Sequence, residues 1–89
     1  MKIKIDRSFE RDSNRLTKQT QQQQISEVIQ KIKESASLQE LSVTKMGGSG
    51  NAYRIRSGNY RIGFYLEGGL VILSRVLDRK EIYRYFPKR

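Results

Sequence analysis

The chain has 89 residues, with 18 Lys plus Arg against 9 Asp plus Glu, no His, no Cys and one Pro. Its length suits one small domain spanning residues 1–89. The missing residue types exclude disulfides, iron–sulfur ligation, thiol nucleophiles, a zinc site and histidine acid–base chemistry. The net charge of +9 is unevenly placed: residues 1–50 carry nine basic and six acidic side chains, residues 51–89 nine and three. The shorter part holds the larger excess, which points to a polyanionic partner.

Residues 2–6, Lys-Ile-Lys-Ile-Asp, alternate as a short strand with Ile3 and Ile5 on one face. Lys2 and Lys4 on the other face suit an edge strand, where lysine discourages pairing with other chains. This N-terminus lacks the apolar run of a secretory signal, and no stretch has the length of a membrane span. The expected location is therefore the cytoplasm, with no membrane contact. Residues 8–19 read as a weakly amphipathic helix, with Ser8 at the N-cap, Glu10 and Asp12 in the first turn, and Phe9 and Leu16 on one face. Thr20 and Gln23 have the spacing of a capping box. Behind them Ile25, Val28, Ile29 and Ile32 form one apolar stripe, which predicts a helix over 21–36 packed on a sheet.

Residues 37–51 change character. Leu38, Leu41 and Val43 are expected to reach the core, and Gly47-Gly48-Ser49-Gly50-Asn51 is a loop that matches no phosphate-binding glycine pattern. Tyr53-Arg54-Ile55-Arg56 and Tyr60-Arg61-Ile62-Gly63-Phe64-Tyr65 alternate around a Gly58-Asn59 hairpin turn. Gly68-Gly69 marks a second hairpin, and Leu70-Val71-Ile72-Leu73 reads as a central strand buried on both faces. Asp78 to Tyr85 reads as a short terminal helix stopped by Pro87. The expected fold class is α+β: a four-stranded antiparallel-type sheet, two N-terminal helices packed on one face and a short C-terminal helix.

With the turn at Gly58-Asn59, Ser57 pairs with Tyr60, Arg56 with Arg61, Ile55 with Ile62 and Arg54 with Gly63. The two isoleucines face the helices, and Arg54, Arg56 and Arg61 share the open face. Like charges directly opposed destabilise a hairpin, so this arrangement reads as an anion site in which a phosphate lies between guanidinium groups. Gly63 is expected to clear space for a ligand beside Arg54. On the terminal helix, Arg79 and Tyr83 fall at i, i+4, with Lys80, Arg84 and Tyr85 nearby; arginine holds phosphates and tyrosine stacks on unpaired bases. Tyr53, Tyr60, Phe64 and Phe86 are read as core, Arg75 as a structural ion-pair residue, and Lys88-Arg89 as a solvated tail.

The segments Tyr53-Arg-Ile-Arg-Ser-Gly-Asn-Tyr-Arg61 and Arg75-Val-Leu-Asp-Arg-Lys-Glu-Ile-Tyr-Arg-Tyr-Phe-Pro87, separated by a Gly-Gly hairpin, resemble the RelE/ParE superfamily of type II toxins. The resemblance covers nearly the whole chain. It implies a microbial-ribonuclease-like fold, a cognate antitoxin partner, and cleavage of mRNA on the ribosome without metal or small-molecule cofactor, by attack of a 2′-hydroxyl on the adjacent phosphate. ParE-like members share the fold but inhibit DNA gyrase, and a non-cleaving RNA- or ribosome-binding module is a third alternative. The resemblance places the catalytic roles on Arg61, Arg79 and Tyr83. It puts phosphate binding on Arg54 and Arg56, and Lys80, Arg84 and Tyr85 extend that basic surface. Asp78 stands where close relatives often carry His; it is either a base in its own right or the mark of a weakened variant. Arg54 and Arg56 cannot act as general bases, because guanidinium does not deprotonate at ordinary pH.

Overall fold

The computed structural model describes residues 1–48 and 50–87; Ser49 in the glycine-rich loop and the Lys88-Arg89 tail fall outside them. The elements are β1 (Lys2–Ile5), α1 (Arg7–Asn14), α2 (Gln19–Glu34), a 3-10 turn (Leu38–Glu40), β2 (Val43–Lys45), β3 (Ala52–Ser57), β4 (Tyr60–Glu67), β5 (Leu70–Asp78) and α3 (Ile82–Tyr85). The strands form one sheet in the order β1-β5-β4-β3-β2. It is five-stranded and mixed rather than four-stranded and antiparallel, because β1 pairs parallel with β5 and the added β2 pairs antiparallel with β3. Lys2 and Lys4 do lie on an edge strand, as expected.

The α2 stripe packs as its spacing predicts. Ile25 and Ile32 are buried with Phe9, Leu16, Ile55, Ile62, Phe64, Val71, Leu73 and Val76, and Val28 and Ile29 pack against them. The helix boundaries shift. α1 ends at Asn14, where Arg15 and Leu16 turn back onto Asp12 and Ser13 carbonyls. α2 starts at Gln19 behind an extended Lys18 with no side-chain cap, so Thr20 and Gln23 lie inside the helix and form no capping box.

Asp6, not Ser8, holds the N-cap position of α1. The Ser8 hydroxyl instead donates to the Ser74 carbonyl at 2.6 Å. Ser74 is the extra residue of a β-bulge, since Gly63 pairs with Arg75 while Phe64 pairs with Leu73. A bulged residue leaves the ladder and needs another partner for its carbonyl. The bulge also reverses the side-chain parity of β5. Val71 and Leu73 face the helices before it, Val76 does so after it, and the charged Arg75 is spared the core.

The Leu70–Leu73 run is buried on one face only. Val71 and Leu73 are fully buried, whereas Leu70 and Ile72 are half-buried. The second face is covered locally, by a small cluster of Met46, Ala52, Ile82 and Phe86 with Tyr65 and Leu77 packed against it. The Gly68-Gly69 hairpin has positive φ at both residues, 55° and 82°, the pairing that a two-residue turn matching strand twist requires.

Candidate nucleic-acid interface

The β3–β4 register agrees with the sequence: Ser57 opposite Tyr60, Arg56 opposite Arg61, Ile55 opposite Ile62, Arg54 opposite Gly63. Ile55 and Ile62 are in the helix-side core. Strand alternation therefore turns Arg54, Arg56 and Arg61 to the other face. Arg61 folds over the hairpin turn, its Nη1 donating to the Gly58 carbonyl at 3.2 Å and the Tyr60 carbonyl at 2.9 Å. Arg54 donates to the Met46 sulfur at 3.5 Å, and its guanidinium lies 4.9 Å from the Tyr83 ring centre. The Arg79 amide donates to the Asn59 carbonyl at 3.0 Å, which ties the turn after β5 to the hairpin.

Burial, followed by the positive charges of Arg56 and Arg54, pushes the Arg61 guanidinium below its usual pKa range; Arg79 adds to the effect and Tyr83 opposes it. Four of the residues singled out from the sequence, Arg54, Arg56, Arg79 and Tyr83, thus act on a fifth, Arg61. Among the described residues none of these four arginines has a carboxylate within ion-pair distance. The ion pair that does form lies elsewhere, between Arg75 and the buried Asp12. Arg75 donates to it at 2.7 and 3.1 Å, and the same carboxylate accepts the Val76 amide at 3.1 Å.

The remaining sequence-predicted residues are placed differently. Asp78 is the last residue of β5, not the first of a helix; α3 spans only Ile82–Tyr85. Arg79 therefore sits in a turn, and Arg79 and Tyr83 share no helix face. Asp78 pairs with Tyr60, on the opposite parity from the Leu77–Arg61 pair. Its carboxylate accepts the Lys80 amide at 2.8 Å. Asp78 lines a recess of ≈ 230 Å³ with Asp12, Arg15, Leu16, Tyr60 and Glu81, which includes none of the four arginines. Lys80 and Arg84 are exposed. Tyr85 lies under Arg75, with the guanidinium 5.6 Å from its ring centre, outside the Arg61 group.

Gly63 does not leave room for a ligand. A Cβ there would fall 2.6–2.8 Å from the Phe86 ring, which occupies the space. Phe86 is core, as read from the sequence, at 2% exposure. Nothing local in the sequence marks Met46 as a neighbour of Arg54, because the contact depends on the pairing of β2 with β3.

Fold and site together define a small α+β domain in which four arginines, without an ion-paired carboxylate among the described residues, gather beside an exposed tyrosine. Residues 3–83 match the family described as the ParE toxin of the type II toxin–antitoxin system parDE. The chain is 39% identical over 89 residues to toxin RelE3 of Methanocaldococcus jannaschii, covering 98% of this chain and 100% of that protein. The chain belongs to this ParE/RelE toxin family. Its fold is similar to that in the RelB–RelE antitoxin–toxin complex from Methanococcus jannaschii, with TM-score 0.73, 38% identity, and coverage of 93% and 98% of the two chains. The archaeal RelE–RelB complex from Pyrococcus horikoshii shares the fold at TM-score 0.68 and 19% identity, covering 88% and 93%.

Proposed function

We propose that this toxin is a ribosome-dependent mRNA endoribonuclease. The observation that carries the reading is the group Arg54, Arg56, Arg61 and Arg79 around Tyr83, cationic and without a carboxylate partner among the described residues. Such a group is repulsive until an anion lies within it. A phosphodiester supplies that anion, and the exposed Tyr83 beside it supplies a stacking surface for an unpaired base.

In this mechanism the 2′-hydroxyl of one nucleotide attacks the adjacent phosphorus. The bond to the 5′-oxygen of the next nucleotide breaks, giving a 2′,3′-cyclic phosphate and a 5′-hydroxyl. The proton lost from the 2′-oxygen is matched by the one gained by the leaving oxygen. Arg61 and Arg79 neutralise the charge that develops on the phosphate oxygens, and Arg54 and Arg56 hold the backbone. Tyr83 stacks on a base or relays the proton; Asp78, facing the other side of the sheet, takes no part. Lys80 and Arg84 extend the phosphate-binding surface, and the ribosome supplies the substrate geometry that so open a site lacks. No metal ion enters this mechanism, in which guanidinium groups neutralise the phosphate charge.

The antitoxin partner follows from family membership and from the RelB chains that accompany the solved relatives. A chain of net charge +9 suits an acidic, partly disordered segment that orders across the basic face. Arg61→Ala is expected to abolish growth inhibition while circular dichroism and melting stay those of a folded protein. Full toxicity in that folded variant removes Arg61 from the site. The ParE description of the matching family favours a second reading, gyrase inhibition, whose sign is DNA damage with intact mRNA. Salt-sensitive RNA binding without products indicates a non-cleaving module.

A further inference from the structure

α3 is a single turn of four residues. A helix that short does not form on its own, because nucleation is unfavourable and is repaid only over several turns. Something else must fix the position of Tyr83, which is 59% exposed.

The sheet register supplies it. Arg54, Gly63 and Arg75 are directly paired across β3, β4 and β5, so they form one row on the face under α3. Three aromatic rings from the C-terminal segment meet this row. Tyr83 lies against Arg54, with 4.9 Å between guanidinium carbon and ring centre, and Tyr85 against Arg75 at 5.6 Å. Phe86 sits between them on Gly63, closer than any Cβ would allow, and packs against Tyr65 with ring centres 5.1 Å apart. The two ends of the row are held independently, Arg75 by the buried Asp12 carboxylate and Arg54 by Met46. A glycine inside a strand weakens it and marks the close approach of another group; here that group is Phe86.

We propose that Gly63 and Arg75 are positioning residues: the row Arg54–Gly63–Arg75 is a cradle that sets the register of α3 and thereby holds Tyr83 in the cationic group. The gap at Gly63 admits Phe86, and the flanking guanidinium groups seat Tyr83 and Tyr85 on either side. The consequence for cleavage rests on the nuclease reading of Tyr83; the placement of Tyr83 does not.

The test uses the full chain. Nuclear Overhauser contacts between the Tyr83 ring and the Arg54 side chain are measured in the parent, Gly63→Ala, Tyr85→Leu and Tyr85→Phe proteins. kcat and KM on ribosome-bound mRNA are measured alongside. The contacts are expected in the parent and in Tyr85→Phe, which keeps a ring under Arg75. They are expected to weaken or vanish in Gly63→Ala and Tyr85→Leu. kcat should fall about 10- to 100-fold in those two, with KM within about twofold, as misplacement of a reacting group predicts. Tyr85 is partly exposed, so Tyr85→Leu decides the matter even if Gly63→Ala fails to fold. Undiminished contacts in Tyr85→Leu overturn the cradle. Lost contacts with unchanged kcat leave the cradle standing and remove Tyr83 from the chemistry.

Discussion

Replacing Arg56 by Gln should make the protein more stable. Arg56 is exposed and sits directly opposite Arg61, with Arg54 and Arg79 also acting on Arg61. Directly opposed side chains have Cβ atoms about 5 Å apart, and a cross-strand charge pair is worth roughly 0.2–1 kcal/mol. Gln keeps much of the aliphatic stem and removes the charge, so the repulsive share of that energy returns as stability. For a domain of this size such a gain raises Tm by about 1–8 °C. The assay is thermal unfolding of parent and variant at about 0.01 M and about 1 M salt, where the screening length falls from roughly 30 Å to roughly 3 Å. The gain should be present at low salt and largely gone at high salt. A variant that melts below the parent at low salt, or a gain indifferent to salt, would refute the argument that these guanidinium groups repel one another.

Other outcomes follow from the same structure. Asp12→Asn removes the charge that holds Arg75 and weakens the acceptor for the Val76 amide, with Asp12 only 3% exposed; urea unfolding should show a loss of about 2–4 kcal/mol, and a loss under about 0.5 kcal/mol would contradict the ion pair's role. Ser57 has a buried hydroxyl without a hydrogen-bond partner among the described residues, so Ser57→Ala should be neutral or stabilising by about 1 kcal/mol in the same experiment; a clear loss would mean the hydroxyl is satisfied. Ile32, fully buried at the C-terminal end of the α2 stripe, should cost about 2–5 kcal/mol when replaced by Ala, against little change if α2 were loosely docked.

The parts of this molecule legible in its sequence are those governed by near neighbours. The Gly58-Asn59 turn and the period-2 alternation on both sides of it fixed the β3–β4 register, and with it the facing of Arg54, Arg56 and Arg61. The 3.6-residue stripe gave the buried face of α2. What was missed depends on distant partners. β2 has three residues, of which only Val43 is apolar, and it exists as a strand because β3 offers an edge to pair with. The parallel pairing of β1 with β5 joins residues almost seventy positions apart, and nothing local distinguishes it from an antiparallel edge. The bulge at Ser74 has no turn residue to announce it, yet it decides that Val76 rather than Arg75 enters the core. Gly63 suggests ligand space in the sequence because a glycine reports a close approach without saying of what; the visitor is Phe86, more than twenty residues further on. Asp78 to Tyr85 looks helical in the sequence, yet β5 holds Asp78 in register with Tyr60 and only Ile82–Tyr85 is helical.

If the cations around Arg61 hold the phosphate of a transcript being cut, translated mRNA must carry the cut. Primer extension across translated open reading frames after brief induction reads that cut. New 5′ ends should map to codons in the ribosomal A site and be absent with Arg61→Ala; intact transcripts during full growth inhibition would rule the nuclease reading out.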